Sequence, residues 1–197
     1  MPITLDTPTG ERYPVLRRRR LGEVYNGAIC KLPEQRDVLK DGQPVLKDNG
    51  KPRKELVVTM VTMPGTTMGA GLGDTESVPA PGDIVRVILK GGGFGAWIEA
   101  DNALKPRQVG DVVTLTSAYG QAYDASGRPL GGRIEDQDEI DRVPRTQALG
   151  IYGPLTIRRA TPAEQPWVQA AEAAYHAATP PTVLDAPPAG GVDPDDL

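Results

Sequence analysis

Hydrophobic residues along this chain fall in short runs separated by glycine, proline and polar residues, and the runs are rich in Val, Ile, Leu and Thr. That pattern predicts strands, because a strand needs few residues and favours β-branched side chains, whereas a helix needs a longer apolar period. The first run, residues 21–30, holds Tyr25, Ile29 and Cys30 and is interrupted by Gly22 and Gly27. Glycine inside a strand pattern predicts a bulge or a sharp coil there. Residues 55–63 (ELVVTMVTM) form the clearest strand, and 83–89 a further one. The glycine-rich stretch 91–95 around Phe94 reads as a flexible corner, followed by a short strand over 96–100 that carries Trp97. Runs at 112–116, 148–153 and 155–159 complete the set.

The connections have their own chemistry. Asp41-Gly42-Gln43-Pro44 and Asn49-Gly50-Lys51-Pro52 are hairpin signals, since both central residues of such turns need positive φ. Residues 64–82 read as a Gly/Pro/Ser/Thr loop and 119–145 as a polar excursion. Near the end, Thr161-Pro162-Ala163-Glu164 is a capping box with proline in the first turn. It predicts a helix over 161–178, with Trp167, Val168, Ala171, Ala174 and Tyr175 at helical spacing. Residues 1–14 read as a flexible arm and 179–197 as a disordered acidic tail, leaving a β domain over 15–160. Short strands with glycine-rich corners predict a small barrel or sandwich.

Composition narrows the function. With 23 Gly and 20 Pro in 197 residues, a turn-rich β fold suits the chain better than a helical one. The single cysteine, Cys30, cannot form an internal disulfide and lies among apolar neighbours, as a buried structural thiol would. The start lacks an apolar signal region and no long apolar run occurs, so a cytoplasmic protein is expected. His176, the only histidine, falls near the end of the expected helix, where it would meet the helix dipole. One His and one Cys cannot build a zinc site, and the glycine-rich stretches match neither a P-loop nor a dinucleotide motif. Neither a catalytic site, a metal nor a cofactor is expected.

Charge is distributed unevenly. Residues 1–60 carry 12 Lys+Arg against 8 Asp+Glu, whereas 161–197 carry 6 acids and no Lys or Arg. Arg17, Arg18, Arg19 and Arg20 are consecutive, and Lys31, Arg36, Lys40, Lys47, Lys51, Arg53 and Lys54 follow. A hairpin that folds 31–54 back over the first strand would gather these cations into a face for a polyanion. Tyr25, Phe94 and Trp97 are candidate platforms for stacking bases, Trp97 being better suited to the core in a chain so poor in aromatics. The C-terminus ends in Asp193, Asp195, Asp196 and the apolar Leu197 on a Pro/Gly tether, suited to docking a partner's basic pocket.

The stretch 21–29, the turns Asp41-Gly42-Gln43-Pro44 and Asn49-Gly50-Lys51-Pro52, and the strand over 56–62 together resemble phage-encoded single-stranded-DNA-binding proteins with an OB fold. The resemblance covers residues 15–63 and the acidic tail. It implies a mostly β, OB-like barrel with one C-terminal helix, binding single-stranded DNA, with replication or recombination proteins at the tail and possible homo-oligomers. The rival expectation is a virion structural protein, a head–tail connector, decoration or tail component, whose arms order on assembly. A weaker one is an accessory domain of an enzyme on another chain.

Overall fold

The computed structural model describes residues 13–47, 49–72, 74–90, 92–104 and 107–178, with backbone alone at 92 and 94. Along the chain run β1 (Val15–Leu16), β2 (Val24–Asp37), the small hairpin β3 (Leu39–Lys40) and β4 (Gln43–Pro44), β5 (Lys54–Thr62), β6 (Ala70–Leu72), β7 (Thr75–Ser77) and β8 (Ile84–Lys90). Helix α1 (Gly92–Leu104) precedes β9 (Val112–Thr116), β10 (Tyr119–Tyr123), β11 (Pro129–Ile134), α2 (Gln137–Asp141), β12 (Ala148–Tyr152) and β13 (Leu155–Arg158). A 3₁₀ turn (Pro162–Glu164) then leads into α3 (Gln165–Ala178).

Eight strands form one sheet in the order β13-β9-β2-β5-β8-β1-β6-β7, and β11-β10-β12 form a second. Pairing is antiparallel except between β1 and β8. The large sheet ends at β13 and β7, and among the described residues no ladder closes it. The fold is therefore mostly β with a C-terminal helix, and among the described residues the sheets are open, short of the OB-like barrel expected from the sequence.

The apolar run in β5 has a simple cause. Both faces of the central strands are covered, so alternation disappears. On one face Tyr25, Ile29, Val58, Met60, Val85, Leu115 and Trp97 pack together, with α1 contributing the tryptophan. On the other, Ala28, Cys30, Val61, Met63 and Val112 meet Ala171 of α3. Cys30 is buried there, and burial pushes its thiol pKa up to about 11.

Several elements differ from the sequence-based expectation. Residues 92–100 do not form a corner and a strand; they belong to the 13-residue helix α1, whose Ala, Glu and Leu content outweighs its glycines once Trp97 can reach the core. Strand β2 extends through Asp37, with register shifts between Ile29 and Lys31 and between Lys31 and Glu34. These bulges lie beyond Gly27 and let one long strand pair with β9 at its start and β5 further along. The 64–82 loop contains β6 and β7 and buries Met68 completely. The 119–145 excursion is ordered as β10, β11 and α2.

Other expectations hold. Asp41 and Gly42 adopt φ of 50° and 77°, as the hairpin signal requires. The Glu164 carboxylate accepts from the Thr161 backbone N–H (2.8 Å) and is gripped by both terminal nitrogens of Arg158. The capping box thus opens the last helical segment, and His176 lies in its final turn. No helix among the described residues is long and apolar enough to cross a membrane.

Candidate nucleic-acid interface

Five strands of the large sheet, β2, β5, β8, β9 and β13, set the frame for the site. Two excursions leave this frame: residues 38–53 between β2 and β5, and residues 117–154 between β9 and β13. They stand on either side of a cleft of about 720 Å³, lined by Gln35, Val38, Val45, Lys47, Arg53, Lys54, Lys90, Tyr123, Gly127 and Tyr152. A second cleft of about 280 Å³ shares Lys90 and Tyr152 with the first and continues past Leu16, Arg18, Gly93 and Ile151. The two make one cationic track with tyrosine at its middle.

The tyrosines come from the small sheet. Tyr119 pairs with Tyr152 across β10 and β12, and Tyr123 lies two steps further along the same face. The Tyr119 and Tyr152 rings stack with centroids 5.8 Å apart. Tyr152 crosses the backbone of Gly150 to share a 2.9 Å hydrogen bond between its hydroxyl and that of Tyr123. Burial, then this bond, push the Tyr152 pKa up to about 12, so the phenol stays protonated. The Arg133 guanidinium covers the Tyr119 ring at 4.3 Å. On the opposite face of the sheet, Ile140 of α2 packs over Gly120. At the cleft lip, Asp124 accepts from the Ser126 hydroxyl and the Arg128 N–H, which hold its carboxyl below the usual range and fix the β10–β11 turn.

On the other wall, Arg36, Glu55 and Lys90 are register neighbours on β2, β5 and β8. The buried Glu55 carboxylate accepts from Arg36 Nε at 2.6 Å and from Lys90 Nζ at 3.0 Å. One carboxylate therefore orients two half-exposed cations and leaves a net positive charge. Lys54 pairs with Asp37. Lys47 and Arg53 line the cleft with no carboxylate partner among the described residues.

The expected site residues separate into several groups. Lys47, Arg53 and Lys54 share the cleft, Lys40 and Lys51 are exposed on the neighbouring hairpin, and Arg36 borders it through Glu55. Lys31 lies apart, paired with Glu34. The arginine run is not one patch. In extended chain alternate side chains diverge, so Arg17 and Arg19 pair with Glu76 of β7 (3.6 and 2.7 Å) while Arg18 turns toward Tyr152 and Arg20 stays exposed. Tyr25 and Trp97 are corrected outright as stacking platforms. Tyr25 is fully buried with its ring folded over Gly27, and Trp97 is 2% exposed with Arg107 over its ring. Phe94's side chain and the tail residues Asp193, Asp195, Asp196 and Leu197 lie outside what the structure describes.

Sequence reasoning missed Tyr119, Tyr123 and Tyr152. The even spacing of Tyr119 and Tyr123, which puts both on one face of a strand, was the available signal. Among the described residues no three His, Cys, Asp or Glu side chains gather as a metal site would require. No known protein family, curated protein or solved structure matches the chain.

Proposed function

We propose that this chain binds single-stranded nucleic acid, DNA first among candidates, along the cationic track between the two excursions, on an OB-like scaffold that does not close. The observation that carries this reading is the cleft itself, with Lys47, Arg53, Lys54 and Lys90 around Tyr123 and Tyr152. Cations attract the phosphate backbone by counterion release, and aromatic rings stack on unpaired bases. Five neighbouring strands of the large sheet follow the order β13-β9-β2-β5-β8, with a helix between β8 and β9. In an OB fold the same order runs fifth, fourth, first, second, third. Such folds bind oligonucleotides between the loops joining strands one to two and four to five, which correspond here to the two excursions. A role in phage replication or recombination, with the acidic tail engaging partner proteins, remains part of the proposal.

The test is fluorescence anisotropy of a labelled single-stranded oligonucleotide at about 50 and 200 mM salt. Binding that weakens steeply with salt, and falls in a Lys47→Ala/Arg53→Ala double variant, supports the reading. Absence of binding at the lower salt overturns it.

A second reading, a virion structural component, is favoured by exposed apolar side chains at Leu39, Leu46, Leu72 and Val78. Such residues suit a surface that assembly covers. Concentration-dependent rings or filaments in light scattering and electron microscopy, without oligonucleotide binding, would support it.

A further inference from the structure

Arg18 stands out among the cations of the track. Its side chain is half-buried in the smaller cleft, close enough to Tyr119 and Tyr152 for both rings to act on it electrostatically. Among the described residues its guanidinium makes no ion pair, although Arg17 and Arg19 on either side are both tied to Glu76. Burial lowers its pKa from the ordinary guanidinium value, yet a guanidinium remains charged in a protein. A cation drawn out of water without a counter-charge is costly unless something anionic joins it. Lys90 lines the same cleft, and its one carboxylate, Glu55, is already shared with Arg36.

We infer that Arg18 and Lys90 form a phosphate subsite at the end of the track, taking one phosphodiester of the bound strand while the next base meets Tyr152. The inference rests on the nucleic-acid reading above and deepens it. Arg18 offers a planar fork to two phosphate oxygens, and Lys90, which lines the same cleft, adds a point charge. The Tyr119 ring, stacked on Tyr152, adds its field to that of Tyr152 at the guanidinium.

The experiment uses the full chain, Arg18→Gln and Arg18→Lys, each first checked for an unchanged thermal melt. Two probes are compared: an oligothymidylate of about 16 nucleotides, read by anisotropy across a salt series, and sodium tripolyphosphate, read by thermal stabilisation. The expected result is that Arg18→Gln lowers oligonucleotide affinity about tenfold and the salt slope by about one, with Arg18→Lys recovering the slope but only part of the affinity. A single methylphosphonate linkage walked along the oligonucleotide should weaken wild type at one position and leave Arg18→Gln indifferent there. If the oligonucleotide binds both proteins equally, the subsite is overturned and the function stands. If neither binds it, yet tripolyphosphate stabilises wild type and not Arg18→Gln, the nucleic-acid reading fails and the site is one for free polyphosphate. If neither probe binds either protein, both ideas fall.

Discussion

Tyr152 lies flat across Gly150, two residues back on its own strand, and a Cβ at position 150 would meet its ring carbon at 2.6 Å. Glycine here is a space requirement and not a turn requirement, since Gly150 is absent from the positions with positive φ. Gly150→Ala should push the Tyr152 ring aside and break its hydroxyl contact with Tyr123. Because a side chain and not backbone would yield, the stability cost should sit near the low end for overpacking, about 1 kcal/mol. Oligonucleotide affinity should fall about as much as in Tyr152→Ala, whereas Tyr152→Phe should keep most of it. Parallel denaturation and anisotropy titrations check this; a Gly150→Ala variant that binds like wild type argues against a role for the ring.

Glu55 gives a prediction with opposite signs on two axes. Its buried carboxylate is the shared partner of Arg36 and Lys90. Glu55→Gln should destabilise the fold by about 1–3 kcal/mol, moderated because both cations are half-exposed and can turn to water. The same change removes a negative charge beside the track, so oligonucleotide binding should tighten a few-fold at low salt. Urea denaturation and binding measured together would expose a purely structural role, in which both would worsen.

The start of α3 should be acid-sensitive. Arg158, then the Thr161 N–H and hydroxyl, hold the Glu164 pKa at about 2, against an ordinary 4.5. A carboxylate whose folded pKa is depressed contributes stability that is present above the ordinary value and is lost as pH falls toward the folded one. Helical signal and thermal stability should therefore decline between about pH 4.5 and 2. Glu164→Gln should lose roughly 1 kcal/mol at neutral pH and show a weaker decline in that window, measured by circular dichroism melts across pH.

Cys30 reports on the docking of α3. With its thiol pushed up to about 11 and Ala171 packed in the same cluster, it should resist disulfide reagents at pH 8 in the native state. Trp167→Ala thins the cover and should accelerate labelling well before global unfolding. A Cys30 that reacts at the rate of a free thiol in wild type would contradict this packing.

The elements that sequence made legible are those decided locally. Short runs rich in β-branched residues mark β5, β8 and β9, Asp41-Gly42 marks its hairpin, and Thr161 with Glu164 marks the last helix. Where tertiary contact decided, the reading failed. Trp97 could be a platform or a core residue by composition alone, and only the space under the sheet makes it core and carries 92–104 into a helix. The arginine run read as one cationic patch because sequence does not show that Glu76 draws two of its members away. The tyrosine face was invisible because it needs Tyr152, far along the chain, to pair beside Tyr119.

The two ends of the small-sheet arm lie side by side: the Ala118 N–H donates to the Tyr152 carbonyl at 2.7 Å, and Gly153 sits so close to Thr116 that a side chain there would run into its carbonyl. An insertion whose two ends lie side by side can be removed or exchanged without rethreading the rest of the chain, because bridging adjacent ends costs little loop entropy. Here the Leu21 N–H donates to Gln137 at 2.8 Å, a contact that such an exchange would give up. Residues 119–152 are thus a detachable jaw. A chain carrying a short glycine link in their stead should keep the large sheet while losing half of the cleft, and other arms grafted at the same junction would give one scaffold different grips.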